Sequence, residues 1–331
     1  MVAFNLGVLP GTNLPEAADI IMGETGDVRA IPRLPARGAG SDSVGATCLL
    51  LPDAPVEAGP RGWRLTTRPQ LITRRLWDQR ERDIDTLEAT WGTTGFTVQL
   101  SVLGPWSLAT GVELANGHRA ITDPGALRDL TDILTHGILE QITRLRRRFY
   151  GSVHVQLNEP DVAALAAGSI PGTSDFDVIR PIPRKELGER LHGVFTALPE
   201  CRRYLGQIGT RPLFDVARIA SPDAIIVTQS AITGSELLDE CAATVDTGMG
   251  LALGCVQLGD HVDDDLTQPR AHATKIAQLF DELSLDRTLI PTHVDITNAH
   301  EFHQGDLVDV GRALACARVT SEILRRDVGD L

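Results

Sequence analysis

Two hydrophobic patterns alternate along this chain, one with the two-residue period of a strand and one with the period of a helix, about 3.6 residues. Eight short runs predict strands: Ala3–Leu9, Val28–Leu34, Thr97–Leu103, Ser152–Asn158, Arg203–Ile208, Ala224–Gln229, Gly250–Gln257 and Arg287–Val294. Helical spacing predicts eight helices: Pro15–Gly23, Pro69–Trp91, Pro124–Phe149, Glu186–Leu198, Pro212–Ala220, Gly234–Thr247, Arg270–Leu283 and Asp306–Arg326. Strands separated by helices predict right-handed βαβ units and therefore a parallel sheet.

The number of strands favours one closed architecture. Eight parallel strands with intervening helices predict an α/β fold of the (β/α)8 TIM-barrel type rather than an open doubly wound sheet. The alternation continues to Arg326 without a visible boundary, so we expect residues 1–331 to form a single domain. Residues 30–65 are rich in Gly, Pro and Arg, which predicts an irregular excursion over the mouth of the barrel.

Two of the predicted strands have polar residues where a barrel has its interior. His154, Gln156 and Asn158 alternate with the aliphatic residues at 153, 155 and 157, and Gln99 and Ser101 alternate in the same way. Because the face toward the helices must be apolar, we expect these polar side chains to point into the barrel. Buried polar groups need partners, so the pattern indicates either a structural hydrogen-bond network or a bound polar ligand.

Active sites of such barrels lie at the carboxyl ends of the strands. Glu159 and His293 are the catalytic candidates, and Glu159 has the alternative of a salt bridge to a nearby arginine. Trp106 could stack on a flat ligand or pack in the core. The substrate-binding candidates are Gly11, Thr12, Gln99, Trp106, Ser107, Gln156, Asn158 and Gln229.

Composition narrows the class of partner. The formal net charge of −13 opposes binding to nucleic acid or to anionic membranes, so we expect a small-molecule ligand, amino-acid-like or a thiol. Five cysteines without a CxxC pair are typical of reduced thiols. No basic residue precedes Arg29 and no apolar run is long enough to span a bilayer, so we expect a cytoplasmic protein.

Four motifs carry a resemblance to a known family: GVLPGT at 7–12, LPARG at 34–38, GPWSLA at 104–109 and QLNEP at 156–160. With them the chain resembles the catalytic C-terminal barrel of cobalamin-independent methionine synthases, within the uroporphyrinogen-decarboxylase and methionine-synthase-like barrels, as a short single-barrel member. The resemblance implies a methyltransferase that moves a methyl group from a folate, or a corrinoid, to homocysteine or a related small thiol. It also implies a zinc ion that lowers the pKa of the thiol.

The implied zinc ligands are mostly absent. The family has His-x-Cys at the fifth strand, Glu at the sixth and Cys at the eighth, whereas this chain has residues 206–209 (GQIG), Thr228-Gln229 and Pro291-Thr292-His293. Only His293 matches a ligand position, and Asn158 stands where the resemblance implies an aspartate. No metal site and no cofactor are therefore predicted from the residues themselves. A rearranged site of His293, Asp295, His300 and His303 is the alternative to polar loop residues.

Three functions stay open at this point. The first is methyl transfer of the methionine-synthase type, and whether the chain is an enzyme depends on it. The second is non-catalytic binding of a small ligand on a barrel of the same ancestry. The third is a metal-free reaction such as decarboxylation, which would use Glu159 with Arg37 and Arg211.

Overall fold

The computed structural model describes residues 1–51, 54–59, 61–173 and 179–331, so residues 52, 53 and 60 of the predicted excursion lie outside it. Within these ranges the strands are β1 (Val28–Ala30), β2 (Val56–Gly59), β3 (Gly62–Leu65), β4 (Thr97–Leu103), β5 (Val112–Glu113), β6 (Val153–Asn158), β7 (Arg203–Gly206), β8 (Ala224–Thr228), β9 (Gly250–Val256) and β10 (Val294–Asn298). The helices are α1 (Leu14–Glu24), α2 (Ser43–Cys48), α3 (Leu71–Trp91), α4 (Pro105–Gly111), α5 (Pro124–Phe149), α6 (Val162–Ala167), α7 (Arg184–Ala197), α8 (Phe214–Ala220), α9 (Ser235–Asp246), α10 (Thr267–Glu282), α11 (Ile290–His293) and α12 (Leu307–Arg326).

Seven strands form one parallel sheet in the order β1-β4-β6-β7-β8-β9-β10, so the predicted α/β class is confirmed. Each strand pairs in parallel with the next strand of this sheet along the chain, and helices make the crossovers. All eight predicted helices are present, and α5 has its predicted bounds because the Asp123 carboxylate accepts from the N–H groups of Gly125 and Ala126. No helix in the described ranges combines the length and the apolar composition needed to cross a membrane.

The predicted first strand, Ala3–Leu9, is present only as two isolated bridges. Ala3 pairs with Ile296 of β10, and Val8 pairs with Arg33 beyond the end of β1. The N–H of Phe4 donates to the carbonyl of Ile296 at 3.1 Å, and the N–H of Leu9 donates to that of Arg33 at 3.0 Å. The sheet is curled, because this one segment reaches both of its edge strands, but the described residues do not form a closed eight-stranded ladder.

The predicted last strand, Arg287–Val294, is wrong. Arg287–Leu289 is a 3-10 helix, α11 follows it directly, and the strand begins only at Val294. The Asp286 carboxylate accepts from the N–H of Thr288, and Pro291 lies in the first turn of α11, which favours a helical start. The predicted second strand is also shorter than expected, ending at Ala30.

The excursion around 30–65 contains elements that the periodicity did not predict. The short helix α2 lies in it, and β2 and β3 pair in antiparallel fashion and form a three-stranded sheet with β5. The short helices α4 and α6 were also not predicted. All of these are seven residues or shorter, too short to show a reliable period.

The predicted faces of β6 are confirmed. Val153, Val155 and Leu157 lie in the main apolar core together with the buried faces of the helices. The opposite, inner face of the sheet has its own smaller apolar cluster: Phe4, Leu6, Val28, Tyr204, Ala224, Ile226 and Ala252. The ring of His154 contacts Tyr204 of that inner cluster, with centroids 5.9 Å apart. The polar residues of β6 therefore face the interior of the curled sheet.

Candidate functional site

A cavity of about 270 Å³, called the mouth cavity below, lies at the carboxyl ends of the strands. Leu103, Asn158 and Gly206 line it, each as the last residue of its strand, β4, β6 and β7 respectively. The rest of its wall comes from Leu6, Ser43, Gln156, Pro160, Ile208, Gly209, His300, Glu301 and His303. Its position at the strand ends of a parallel α/β fold is where ligand sites are expected.

A row of amide side chains leads from the mouth cavity into the interior. The Nε2 of Gln99 donates to Oε1 of Gln156 at 2.6 Å, and the Nε2 of Gln156 donates to Oδ1 of Asn158 at 2.7 Å. The Nδ2 of Asn158 in turn donates to the hydroxyl of Ser101 at 2.8 Å. Each amide fixes the orientation of the next, so the row presents the Asn158 side chain to the cavity in a defined position.

Gly206 makes room for this row. A Cβ atom at Gly206 would lie 2.3 Å from Oδ1 of Asn158, which is closer than any van der Waals contact allows. Gly206 pairs with Asn158 across β7 and β6, so a side chain at this position would push the amide out of the row. The strand end of β7 therefore requires glycine because of the site geometry, although its φ angle is ordinary.

Two buried side-chain polar atoms of β4 and β6 lack a partner among the described residues. They are Oε1 of Gln99 and Nδ1 of His154, whose residues are paired opposite each other across β4 and β6. Burial, and then the nearby Arg202 guanidinium, lower the pKa of His154 to about 4, so the imidazole is neutral at neutral pH. Unpaired buried polar atoms of this kind indicate a place for bound water or for a polar group of a ligand.

Glu301, at the rim of the mouth cavity, is paired with Arg33, which lies outside the lining of that cavity. Nη2 of Arg33 donates to Oε1 of Glu301 at 3.1 Å, and Oε2 of the same carboxylate lies 3.1 Å from Nε2 of His303. Arg33 also donates to the hydroxyl of Ser43. Burial lowers the pKa of Arg33 from its usual value, but an arginine remains charged at neutral pH.

Glu159, predicted as a catalytic residue, is directed away from the mouth cavity. It is fully buried, and its carboxylate accepts from the N–H of Trp106 at 3.0 Å, the N–H of Ser107 at 2.8 Å and the hydroxyl of Ser107 at 2.6 Å. These are donors of the first turn of α4, so Glu159 caps a helix from outside. Burial raises its pKa to about 7 in spite of these bonds. The carboxylate has a structural partner, but it is not the arginine that the sequence suggested.

Trp106 and Ser107, predicted to bind substrate, are both committed to packing. The Trp106 side chain is fully buried, its Nε1 donates to the carbonyl of Leu187 at 3.0 Å, and the Arg190 guanidinium lies 4.9 Å from its ring centroid. Trp106 therefore packs in the core, and neither of its ring faces is open to a ligand. The hydroxyl of Ser107 is occupied by Glu159.

The remaining predicted residues are divided between the site and other places. Gln156 and Asn158 line the mouth cavity, and Gln99 lies beneath them in the same row. Gly11 and Thr12 are exposed, and Gln229 lies half-buried in the 3-10 helix Gln229–Ala231; none of these three lines the cavity.

His293, the second predicted catalytic residue, was placed at the wrong end of its strand. It is the last residue of α11 and precedes β10, so it lies at the amino end of the sheet. There it borders a different groove, with Arg203 and Asp223, whereas the carboxyl end of β10 is Asn298. The prediction failed because the strand was assigned seven residues too early, from Arg287 instead of Val294.

The residues present do not fit the zinc ion that the resemblance implied. In the described part of the chain, no three side chains of His, Cys, Asp or Glu are grouped so that they could hold a metal. The rearranged set of His293, Asp295, His300 and His303 is also not assembled, because Asp295 is committed to Arg202 and Tyr204 in the interior.

Sequence reasoning missed several residues of the mouth cavity. Ser43 comes from α2, which has no clear period, and His300, Glu301 and His303 follow the misplaced last strand. One signal could have found them: Asp295 and Thr297 alternate with Val294 and Ile296, which is the two-residue pattern of a strand that ends just before residue 300.

Comparisons with known proteins find similar folds among solved structures. No protein-family profile matches the chain, and no curated protein matches it. Among solved structures, a methyltransferase from Methanosarcina mazei superposes with a TM-score of 0.53 at 10% identity, over 96% of this chain and 93% of that one. A B12-independent methionine synthase from Shewanella sp. W3-18-1, in complex with selenomethionine, superposes with a TM-score of 0.48 at 10% identity, over 82% of this chain and 72% of that one. This chain therefore has the fold of a known methyltransferase.

Proposed function

We propose that this chain is a methyltransferase of the methionine-synthase type whose acceptor is a small amino-acid-like thiol bound in the mouth cavity. The observation that carries the proposal is the carboxylate of Glu301, paired with Arg33, in the wall of a cavity that Gln156 and Asn158 also line. The methyltransferase fold supports the reaction class, and the rim charges support the acceptor class.

A zwitterionic acceptor fits the charges of the rim. The ammonium group binds to the carboxylate of Glu301, which Arg33 holds in place by its ion pair. The oxygen of Ser43 already accepts from Arg33, so the hydroxyl hydrogen of Ser43 is left to donate to a ligand carboxylate. The ligand side chain then extends across the cavity between His303 and Asn158, which both line it.

His303 is the group best placed to move a proton. Its Nε2 lies 3.1 Å from the Glu301 carboxylate, an arrangement that orients an imidazole as a general base. His303 takes the proton of the acceptor thiol, and the resulting thiolate attacks the methyl carbon. The bond between that carbon and its donor breaks at the same time, and the donor keeps the electron pair, leaving as tetrahydrofolate once its nitrogen is protonated or as cob(I)alamin. The methyl donor, a folate or a corrinoid, is part of this proposal and rests on the sequence resemblance alone.

Binding of L-homocysteine, measured by titration calorimetry, tests the acceptor. Glu301→Gln is expected to weaken binding about tenfold or more, because a charge-assisted hydrogen bond is worth about 1.5–3 kcal/mol. The analogue 4-mercaptobutanoate lacks the ammonium group. The wild type should therefore bind it more weakly than it binds homocysteine, and Glu301→Gln should bind it at least as tightly as the wild type does. Glu236→Gln, which changes an exposed carboxylate paired with Arg211, is the control. Equal homocysteine affinity of the wild type and Glu301→Gln would refute this acceptor site.

Methyl transfer is tested separately. The protein is incubated with homocysteine and either methyl-tetrahydrofolate or methylcobalamin, and methionine is followed by mass spectrometry. Product above the protein-free rate, and its loss in His303→Gln, are expected. Homocysteine binding without methionine from either donor would contradict the methyltransferase proposal while leaving the acceptor site in place.

Three broader statements belong to the same proposal. The N-terminal segment closes the curled sheet into an eight-stranded barrel, and residues 1–331 act as one domain, which the two bridges of the segment support. The protein acts in the cytoplasm on small molecules, which its five free cysteines and its net charge of −13 support.

A further inference from the structure

A second and larger cavity, called the side cavity below, lies between α3 and the outer face of the sheet and encloses about 520 Å³. Leu100 and Val102 of β4 form part of its inner wall, and Leu49 and Leu50, just after α2, form another part. Arg33 separates it from the mouth cavity, because this residue lines the side cavity while its guanidinium reaches Ser43 and Glu301. Cavities of this volume are typical of sites for small ligands.

The first half of α3 leaves apolar surface facing this space. Ile84, Leu87 and Trp91, in the second half of the helix, are buried against the rest of the protein. Ile72 and Leu76, in the first half, line the side cavity and remain only half-buried. The apolar face of α3 is therefore buried at its carboxyl end and unburied at its amino end, where an apolar ligand could cover it.

The side cavity is positively charged in a protein that is strongly negative overall. Five arginines and one aspartate line it: Arg33, Arg37, Arg75, Arg80, Arg82 and Asp83. The aspartate is neutralised, since Arg37 donates to both of its carboxylate oxygens at 2.8 and 2.9 Å. Acidic residues outnumber basic ones over the whole chain, which has a net charge of −13, so the overall composition does not explain the excess of arginines at this cavity.

Three arginines of the side cavity, Arg75, Arg80 and Arg82, have no ion pair among the described residues, and of these only Arg80 is half-buried rather than exposed. Within the described residues its guanidinium makes no hydrogen bond and no ion pair, whereas Arg33 and Arg37 each have a carboxylate. Burial and the nearby guanidinium of Arg144 lower the pKa of Arg80 to about 10, so it remains charged at neutral pH. A half-buried charge that lacks a partner costs stability, and an anion would remove that cost.

We propose that the side cavity is a second binding site, separate from the mouth cavity, for a monocarboxylate with an apolar body. The carboxylate pairs with Arg80. The apolar body lies along Ile72 and Leu76 and against the outer face of β4. Nothing in the proposed methyl transfer requires this ligand, so the site goes beyond that function.

Decanoate, used below its micellar concentration, tests the site by displacement of the fluorescent anion 1-anilinonaphthalene-8-sulfonate. Decanoate is expected to bind at least about tenfold more tightly than decanol, because only the acid can pair with a guanidinium. Arg80→Gln removes the charge and keeps a polar, uncharged side chain. It should weaken decanoate about tenfold and leave decanol unchanged.

Two further variants make the result specific. Arg74→Gln makes the same change on an exposed part of α3 that does not line the cavity, and it should leave both affinities unchanged. Ala46→Trp places a large ring into the cavity and should abolish binding of both ligands while the protein remains folded by circular dichroism. Equal affinities for decanoate and decanol would overturn the proposal, and so would equal losses of decanoate affinity in Arg80→Gln and Arg74→Gln. Both results are decisive even if Ala46→Trp does not fold.

Discussion

Glu159 is fully buried and caps α4 with its carboxyl group, and burial makes the charged form of this group unfavourable. Three donors of α4 favour its ionised form, but burial outweighs them and raises its pKa from 4.5 to about 7. A carboxyl whose pKa is raised on folding contributes stability that is present in full below its unfolded pKa and is lost as the pH rises through its folded pKa. Here that window runs from about pH 4.5 to about pH 7, and the loss amounts to about 3 kcal/mol.

Glu159→Gln is predicted to remove this dependence on pH. At pH 5 the variant should be less stable by about 1–3 kcal/mol, because the amide nitrogen leaves the N–H of Ser107 without an acceptor. By pH 8 the difference in unfolding free energy between the two proteins should disappear, because the wild type has then lost the stability that depends on the protonated carboxyl. Urea unfolding between pH 5 and pH 8 gives both values.

Glu240→Gln is the matched control for this measurement. Glu240 accepts from Arg218 at 2.6 Å in a half-exposed pair, so the effect of its loss on stability should be the same across the window. If the stability difference between the wild type and Glu159→Gln did not change between pH 5 and pH 8, the raised pKa of this carboxyl would be disproved.

The regular elements show what sequence reasoning can and cannot predict. The parallel sheet and the long helices were predictable, since α5 has a strong period over 26 residues and a clear cap at Asp123. The last strand was misplaced because the run from Arg287 to Val294 is as apolar as a strand, and Pro291 was not weighed as the start of a helical turn. That error moved His293 into the predicted site and kept Glu301 out of it.

The candidate site was half predictable for a physical reason. Alternation fixes which face of a strand a side chain takes, so Gln99, Gln156 and Asn158 were assigned correctly to the interior. Alternation says nothing about residues beyond a strand end, where the chain turns. Glu159 therefore turned away to cap α4, and Ser43 arrived from a helix too short to predict.

Gly206→Ala is predicted to disturb the pairing of β6 and β7 at the cavity. The new methyl group would meet Oδ1 of Asn158 at 2.3 Å, and overpacking of this kind costs about 1–3 kcal/mol. Homocysteine affinity should fall in the same variant, because Asn158 loses its place in the amide row. Denaturant unfolding and calorimetric titration measure the two effects.

Gly193→Ala provides the contrast. Gly193 lies exposed in α7 with open space where a Cβ would stand, so alanine there should stabilise the protein by about 0.5–1 kcal/mol. Two glycine substitutions of opposite sign would separate a steric requirement at Gly206 from a general effect of removing glycine. A neutral Gly206→Ala variant with unchanged affinity would mean that the amide row adjusts freely.

The molecule as a whole depends on how its two sheet edges are joined. The segment at residues 2–9 connects β10 to the chain beyond β1, and a buried carboxylate anchors it. Asp295, on the inner face of β10, accepts from the N–H of Val2 at 2.8 Å, from the hydroxyl of Tyr204 at 3.0 Å and from Arg202 at 2.6 Å. This anchor lies at the amino end of the sheet, so the mouth cavity at the other end depends on it only through the closure of the sheet.

Hydrogen exchange tests whether the segment closes the sheet in solution. The amide of Phe4 donates to Ile296 across the closure, and the amide of Val98 donates to Ser152 inside the sheet at 3.0 Å, so both should exchange slowly. Asp295→Asn should speed exchange at Phe4 about tenfold or more while affecting Val98 less, because the lost carboxylate charge loosens the segment before the sheet. Asp309→Asn, on the surface of α12, should change neither amide. If the Phe4 amide of the wild type exchanged as fast as that of the exposed Thr12, the sheet would be open in solution. The protein would then have a seven-stranded sheet with free edges instead of the proposed barrel.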